Sequence, residues 1–228
     1  IVKTIVTTET IKTIAEQNGF KMYDCYTGFK WIASVIRENE GKARYIGGGE
    51  ESYGFLPEDF VRDKDSVSSI SLMAEIAAWV KMQNKTLYSF LKEIYAKYGF
   101  SQERMIYIVR KGLSGAQEIK AMMEEFRHNT PKEINHSPVV LKKDYLSLEA
   151  TNLQTGEKTH LDFETKSDVL QFFLADGSKI SVRPSGTEPK IKFYFEARTQ
   201  MKDINDYERA QQEANARIDA IIKDLKLQ

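Results

Sequence analysis

Between residues 1 and 99 the apolar side chains switch repeatedly between strand-like runs and helical spacing, and this alternation restricts the fold more than any other feature of the chain. Ile1, Val2, Ile5 and Val6 open as a strand, Ile11, Ile14 and Ala15 follow at helical spacing, and Asn18-Gly19 supplies a stop. Residues 20–23 read as a second strand, Thr27-Gly28 as a turn, Trp31, Ile32, Val35 and Ile36 as a helix, and residues 44–46 as a third strand. Strand, helix, strand, helix, strand implies an α/β domain with a mixed, largely parallel sheet, in which ligands gather at the carboxyl ends of the strands. Two more helices follow, over 69–82 and 86–98; the second carries Leu87, Phe90, Leu91, Ile94 and Tyr98 on one face, with Gly99 as its C-cap.

The pattern then changes. Strand character at 105–109 and a helix over 114–126 lead into a polar stretch holding Asn129, Pro131, Asn135 and Pro138, after which 139–141 and 169–174 resume as strands. Asp176-Gly177 is a hairpin turn between Leu174 and Ile180. Ile204, Tyr207, Ala214, Ile218, Ile221 and Leu225 form a closing amphipathic helix. This is an α+β layout, so the expected division is 1–101 and 102–228.

At 228 residues the chain can bury two modest cores. Thirty-three basic residues balance thirty-three acidic ones, so no global field draws it to nucleic acid or to an anionic membrane, and any anion site is local. Cys25 is the only cysteine, which excludes an internal disulfide framework and points to a reducing cytoplasm. No apolar run approaches the roughly 20 residues that span a bilayer. The sequence opens on Ile1, directly in a strand, and the expectation is a fragment of a longer protein.

Two segments carry chemistry. Arg183-Pro184-Ser185-Gly186-Thr187-Glu188-Pro189-Lys190 lies between alternating apolar runs, Ile180 and Val182 before it and Ile191, Phe193 and Phe195 after it. A guanidinium fork, two hydroxyls, an ammonium and a glycine that lets backbone N–H groups converge make a phosphate cradle; the same residues also fit an ordinary Ser-Gly turn with surface charges. The glycine-lysine pair and following helix of a nucleotide phosphate loop are missing. Gly47-Gly48-Gly49-Glu50-Glu51-Ser52-Tyr53-Gly54 directly follows the third strand, which places Glu50 and Ser52 at the carboxyl edge of the sheet for sugar hydroxyls. Thr27-Gly28-Phe29-Lys30 reaches the same edge, where Lys30 can shuttle a proton if burial or a neighbouring cation lowers its pKa. Asp63 and Asp65 are too few for a divalent cation, and His128, His136 and His160 lack ligand spacing.

Together with Arg62-Asp63-Lys64-Asp65, these motifs resemble, in order and separation, the α-D-phosphohexomutase family and its phosphoglucomutase/phosphomannomutase members. The resemblance implies the third and fourth of four domains, the fourth a small α+β domain built on an antiparallel sheet. It implies a phosphoserine on the missing first domain and Mg2+ ligands on the missing second, with neither motif here, and a third domain lacking the helix that normally precedes its first strand. Carried over, Glu50 and Ser52 contact the sugar, as do Lys3 and Arg62 in some members. Arg183, Ser185, Gly186, Thr187 and Lys190 hold the phosphate that is not transferred, and Lys30 matches a candidate general acid or base. The implied activity interconverts hexose 1-phosphate and hexose 6-phosphate through a hexose 1,6-bisphosphate that turns around in the cleft, so one clamp must accept either phosphate. The fragment alone is expected to be inactive, its partners being a phosphorylated hexose and the missing N-terminal domains. Tyr53-Gly54 departs from the Gly-His of the phosphomannomutase branch and leaves the sugar preference open. The rival readings are a non-catalytic sugar-phosphate-binding module, a phosphopentomutase-like branch member and a nucleotide- or nucleic-acid-binding α/β protein, the last disfavoured by the neutral charge.

Overall fold

The computed structural model describes residues 1–110, 112–186 and 188–227. Two compact units are present, Ile1–Phe100 with Met201–Tyr207, and Ser101–Gln200 with Glu208–Gln228.

The first unit runs β1 (Val2–Thr4), α1 (Thr10–Gln17), β2 (Tyr23–Cys25), α2 (Phe29–Glu38), β3 (Gly47–Glu50), β4 (Gly54–Pro57), α3 (Ser66–Met82) and α4 (Leu87–Tyr98). Its sheet has the order β2-β1-β3-β4, with β1 parallel to both β2 and β3 and with β4 antiparallel to β3. Phe29, Ile32 and Ile36 of α2 pack onto Val2, Cys25, Tyr45 and Leu56, a seam that the 3–4 spacing of α2 already encodes. Side-chain caps fix the starts of α3 and α4. The Asp65 carboxylate accepts from the N–H groups of Val67 and Ser68 at the head of α3, and Thr86 and Ser89 form a reciprocal capping box on α4.

Two strands fall elsewhere than the sequence suggests. Strand β2 begins at Tyr23 rather than at residue 20, because Gly19 turns left-handed and the Phe20 N–H closes the end of α1 on the Ala15 carbonyl at 2.8 Å. That backbone is not free to pair. The third strand is not 44–46 but the glycine run itself. A Cβ on Gly48 would stand 2.2 Å from the Val2 carbonyl oxygen and 2.7 Å from the Tyr45 hydroxyl, and one on Gly49 would stand 2.4 Å from the Gly54 carbonyl oxygen. These glycines serve strand-to-strand approach within the sheet. Gly48→Ala is therefore expected to lower the stability of this unit by about 1–3 kcal/mol, the scale of overpacking a core, measured by urea titration; an unchanged midpoint would show that β1 and β3 can move apart.

The second unit comprises β5 (Phe100–Val109), α5 (Gly112–His128), β6 (Glu133–Ile134), β7 (Ser137–Asp144), β8 (Glu149–Asn152), β9 (Lys158–His160), β10 (Leu170–Leu174), β11 (Lys179–Pro184), β12 (Lys190–Thr199) and α6 (Tyr207–Asp224). The sheet order is β5-β12-β11-β10-β7-β8-β9, antiparallel from β12 through to β9, with β6 on β7. This is the α/β domain followed by an antiparallel α+β domain that the sequence and its resemblance imply. Asp176-Gly177 makes the β10–β11 turn, with Gly177 at φ +85°. Asn135 and His136 both have positive φ between β6 and β7. The β8–β9 hairpin goes unread in the sequence, for its residues are polar and largely exposed.

One face of this sheet is apolar, with Phe172, Ile180, Val182, Phe193 and Phe195 buried and Phe126 of α5 packed edgewise on Phe193 at 5.9 Å. Its other face is polar and also buried. Lys179 and Glu196, directly opposite on β11 and β12, form an ion pair of 3.0 Å, and Ser101 donates to the same carboxylate at 3.0 Å. Beside them the Tyr145 hydroxyl donates to Gln171, which donates onward to Ser181.

Candidate functional site

Strands β1, β2 and β3 end side by side at Thr4, Cys25 and Glu50. The loop after β2 reaches α2 through Gly28, whose N–H donates to Glu50 Oε1 at 2.6 Å. Glu50 thus occupies the start of α2, where a carboxylate is favoured by the helix dipole, and its Oε2 remains beside Gly54. Ser52 and Tyr53 are exposed at the tip of the β3–β4 turn, Tyr53 at φ +66°. The neighbouring Glu51 accepts from the hydroxyls of Thr7 at 3.1 Å and Thr4 at 3.3 Å, tying this turn to the loop after β1. Lys30 is exposed on the first turn of α2, its Nζ 5.1 Å from the Trp31 ring centroid. At the same edge, burial pushes the Cys25 thiol and the Tyr26 hydroxyl up to about 12, so neither supplies an anion near neutral pH.

Lys3 and Arg62 do not join this group as free cations. Lys3 is wholly buried and shared between Asp24 at 2.8 Å and Glu9 at 3.1 Å. Arg62 pairs with Glu40, in the segment between α2 and β3, and donates to the Asp59 carbonyl at 2.9 Å. Since β4 runs antiparallel to β3, the chain that leaves Pro57 is at the amino edge of the sheet. Lys64 comes back to this edge: the Asp65 N–H bonds the Phe55 carbonyl at 3.0 Å, and the Lys64 side chain lies beside Gly54 and over the Phe29 ring, its ammonium paired with Asp63 at 3.2 Å. The sequence shows Lys64 only as one member of a charged run; the hydrogen bond that returns it to the sheet is tertiary.

In the second unit, Pro184 pairs with Ile191 and the Ser185 N–H donates to the Lys190 carbonyl at 2.8 Å, so the cradle residues cap a hairpin. The Arg110 N–H reaches the Pro189 carbonyl at 2.9 Å and brings the end of β5 alongside. Gly186 has a φ outside the left-handed region, and a Cβ there would meet nothing within 4 Å. Among the described residues neither strain nor packing accounts for a glycine at that position. Thr187 lies outside the described residues. Lys190 pairs with Glu188, and its Nζ is 5.7 Å from the Tyr107 ring centroid.

Arg183 stands directly opposite Lys192 in the antiparallel ladder. Among the described residues neither cation has a hydrogen-bonding or ion-pairing partner. Like charges facing each other across a ladder repel, and a bound anion between them relieves that repulsion. Sequence reading passes over Lys192; its signal is the hairpin register, which sets it level with Arg183 once the turn is fixed. Among the described residues no group of three or more His, Cys, Asp or Glu side chains could hold a metal ion, and no helix is long and apolar enough to cross a membrane.

Residues 1–98 match the family model described as phosphoglucomutase/phosphomannomutase, alpha/beta/alpha domain III, and residues 118–211 match phosphoglucomutase/phosphomannomutase, C-terminal domain. The chain belongs to the phosphoglucomutase/phosphomannomutase family. Within that family it carries the third and the C-terminal domains. It is 38% identical over 194 residues to the phosphoglucomutase of Staphylococcus aureus strain N315 and, over the same length, to that of strain USA300, in each case 85% of this chain and 35% of the relative. The fold is similar to the open form of pp63/parafusin, a phosphoglucomutase from Paramecium, with a TM-score of 0.62 and 18% identity over 99% of this chain and 36% of that one. The chain therefore spans about a third of the length of the curated relatives it matches.

Proposed function

We propose that this chain is the sugar- and phosphate-binding portion of a hexose phosphate mutase, its two domains divided as 1–101 and 102–228. The observation that carries the reading is Arg183 facing Lys192, beside a glycine whose missing side chain leaves open space. A phosphate dianion placed there receives the guanidinium fork, the Ser185 hydroxyl and the backbone of Gly186, with Thr187 and Lys190 as further donors. Glu50 accepts from a sugar hydroxyl through Oε2, and Ser52 offers a second contact at the exposed turn. Lys64 adds a cation on the same side. Lys3 and Arg62 reach a sugar only by leaving their carboxylates. Lys30, exposed at the head of α2, is the proton-transfer candidate.

These groups bind and orient; the transferred phosphoryl group would come from a serine on the remainder of the parent protein. Mg2+ ligands are assigned to that remainder as well; among the described residues no cluster of carboxylates or histidines fits the ion. A hexose 1,6-bisphosphate that turns around would present either phosphate to the Arg183 loop, which contains nothing that senses the sugar. Assayed with glucose 1-phosphate, Mg2+ and a bisphosphate primer, the 228-residue chain is expected to show no mutase turnover, while the longer parent polypeptide turns over. Enzyme-like turnover by the chain alone would refute the division of labour, and an inactive parent would refute the mutase reading. Running mannose 1-phosphate beside glucose 1-phosphate reports the sugar preference.

A further inference from the structure

The polar face of the second sheet, buried around Lys179 and Glu196, opens to solvent towards the Arg183 hairpin. Strand β5 lies beside β12 at the edge of this sheet. Ser101 donates to Glu196 near one end, and the Arg110 N–H donates to the Pro189 carbonyl at the other, so the two strands run antiparallel and β5 ends at the hairpin. Side chains alternate between the faces of a strand. Arg104 reaches Asp219 and Asn215 of α6 on one face, whereas Ser101, Met105, Tyr107 and Val109 take the other, the face of Glu196, Lys192 and Lys190. There Tyr107 is 59% exposed and Met105 and Val109 are each 45% exposed. The Tyr107 hydroxyl has no hydrogen-bonding partner among the described residues. Singly, such residues need no account; three in a row beside the clamp form an apolar shelf.

We propose that this corner binds a nucleoside monophosphate, its phosphate between Arg183 and Lys192 and its base stacked on Tyr107. The proposal rests on the reading of Arg183 and Lys192 as a phosphate clamp and gives that clamp a second class of ligand. Lys190 sets the spacing. Its ammonium is 5.7 Å from the Tyr107 ring centroid, so one cation adjoins both the ring and the anion, and the ribose bridges the two. A hexose carries hydroxyls around its ring and asks for donors and acceptors, but the shelf offers a single hydroxyl among apolar side chains. A base presents a flat π-face and gains by covering Tyr107, Met105 and Val109. Since every base has such a face, the shelf sets no strict base preference. Thirty-three basic residues against thirty-three acidic ones argue against a nucleic-acid strand, yet a mononucleotide needs only the local charge of Arg183, Lys190 and Lys192.

The test is calorimetric titration of the 228-residue chain with adenosine 5′-monophosphate, ribose 5-phosphate, glucose 1-phosphate and inorganic phosphate. Adenosine 5′-monophosphate should bind at least about tenfold more tightly than the other three, the scale of one stacked base. Tyr107→Leu keeps an apolar side chain without the ring, and should bring the ratio of adenosine 5′-monophosphate to ribose 5-phosphate affinity down to about one; Tyr107→Phe should keep the ratio. Arg183→Ala should weaken all four. Equal affinity for the nucleotide and ribose 5-phosphate in the unaltered chain overturns the proposal, as does a ratio that survives Tyr107→Leu. Nucleotide binding that survives Arg183→Ala overturns it too, by placing the ligand elsewhere, and so does an absence of binding by all four. Mutase activity of the longer polypeptide is read separately. Turnover without a preference for the nucleotide removes this site and leaves the function; the preference without turnover does the reverse.

Discussion

Lys179→Met lowers the stability of the second unit by about 3–5 kcal/mol in a urea titration, the cost of leaving one partner of a buried ion pair uncompensated. The removed ammonium lies 3.0 Å from Glu196, and both side chains are almost fully buried. Ser101 then faces a buried carboxylate that has lost its ammonium partner. The double variant Lys179→Met/Glu196→Leu recovers most of the loss, because two apolar side chains on neighbouring strands pack without a desolvation cost. A single variant costing under about 1 kcal/mol would mean that water reaches the pair.

Arg183→Ala separates binding from folding. In the parent polypeptide it weakens affinity for a hexose phosphate by about 1.5–3 kcal/mol, the scale of a hydrogen bond to a charged group, or roughly 10- to 150-fold in Kd by calorimetry. Arg183→Lys keeps the charge but not the planar fork, and recovers only part. Stability moves the other way or not at all, since the guanidinium has no partner among the described residues and faces Lys192. Removing one of two opposed like charges is worth about 0.2–1 kcal/mol in favour of the fold. Unchanged affinity would refute the clamp, and a large loss of stability would mean that Arg183 holds the sheet rather than a ligand.

Helix spacing and turn chemistry were the legible parts of this chain. Gly99 caps α4 at φ +93°, Asp176-Gly177 turns β10 into β11, and the apolar seams of α2 and, from Tyr207 to Ile221, of α6 are where their spacing puts them, whereas Ile204 lies before α6 and is exposed and Leu225 lies past its end. What misled was glycine. A run of three reads as a loop because glycine weakens a strand locally, yet here it forms β3, since only a residue without a side chain lets β1 and β4 approach so closely. Glu50 and Ser52 could be placed at the carboxyl edge regardless, for Glu50 ends that strand and Ser52 follows it. The surroundings of Lys3 and Arg62 were not legible: each cation meets carboxylates brought near only by the completed fold, Glu9 and Asp24 in one case and Glu40 in the other. Lys192 was hidden for a related reason, its meaning depending on a cross-strand register rather than on its neighbours in sequence.

On the proposed reading of Glu50 as a sugar ligand, its bond from the Gly28 amide would make a helix part of the receptor. With Oε1 engaged by α2, the carboxyl plane is held in one orientation, and Oε2 is the oxygen turned towards an incoming hydroxyl. A side chain one methylene shorter could not serve both masters: Glu50→Asp would have to release either the helix or the carbohydrate, so reach at this position matters as much as charge.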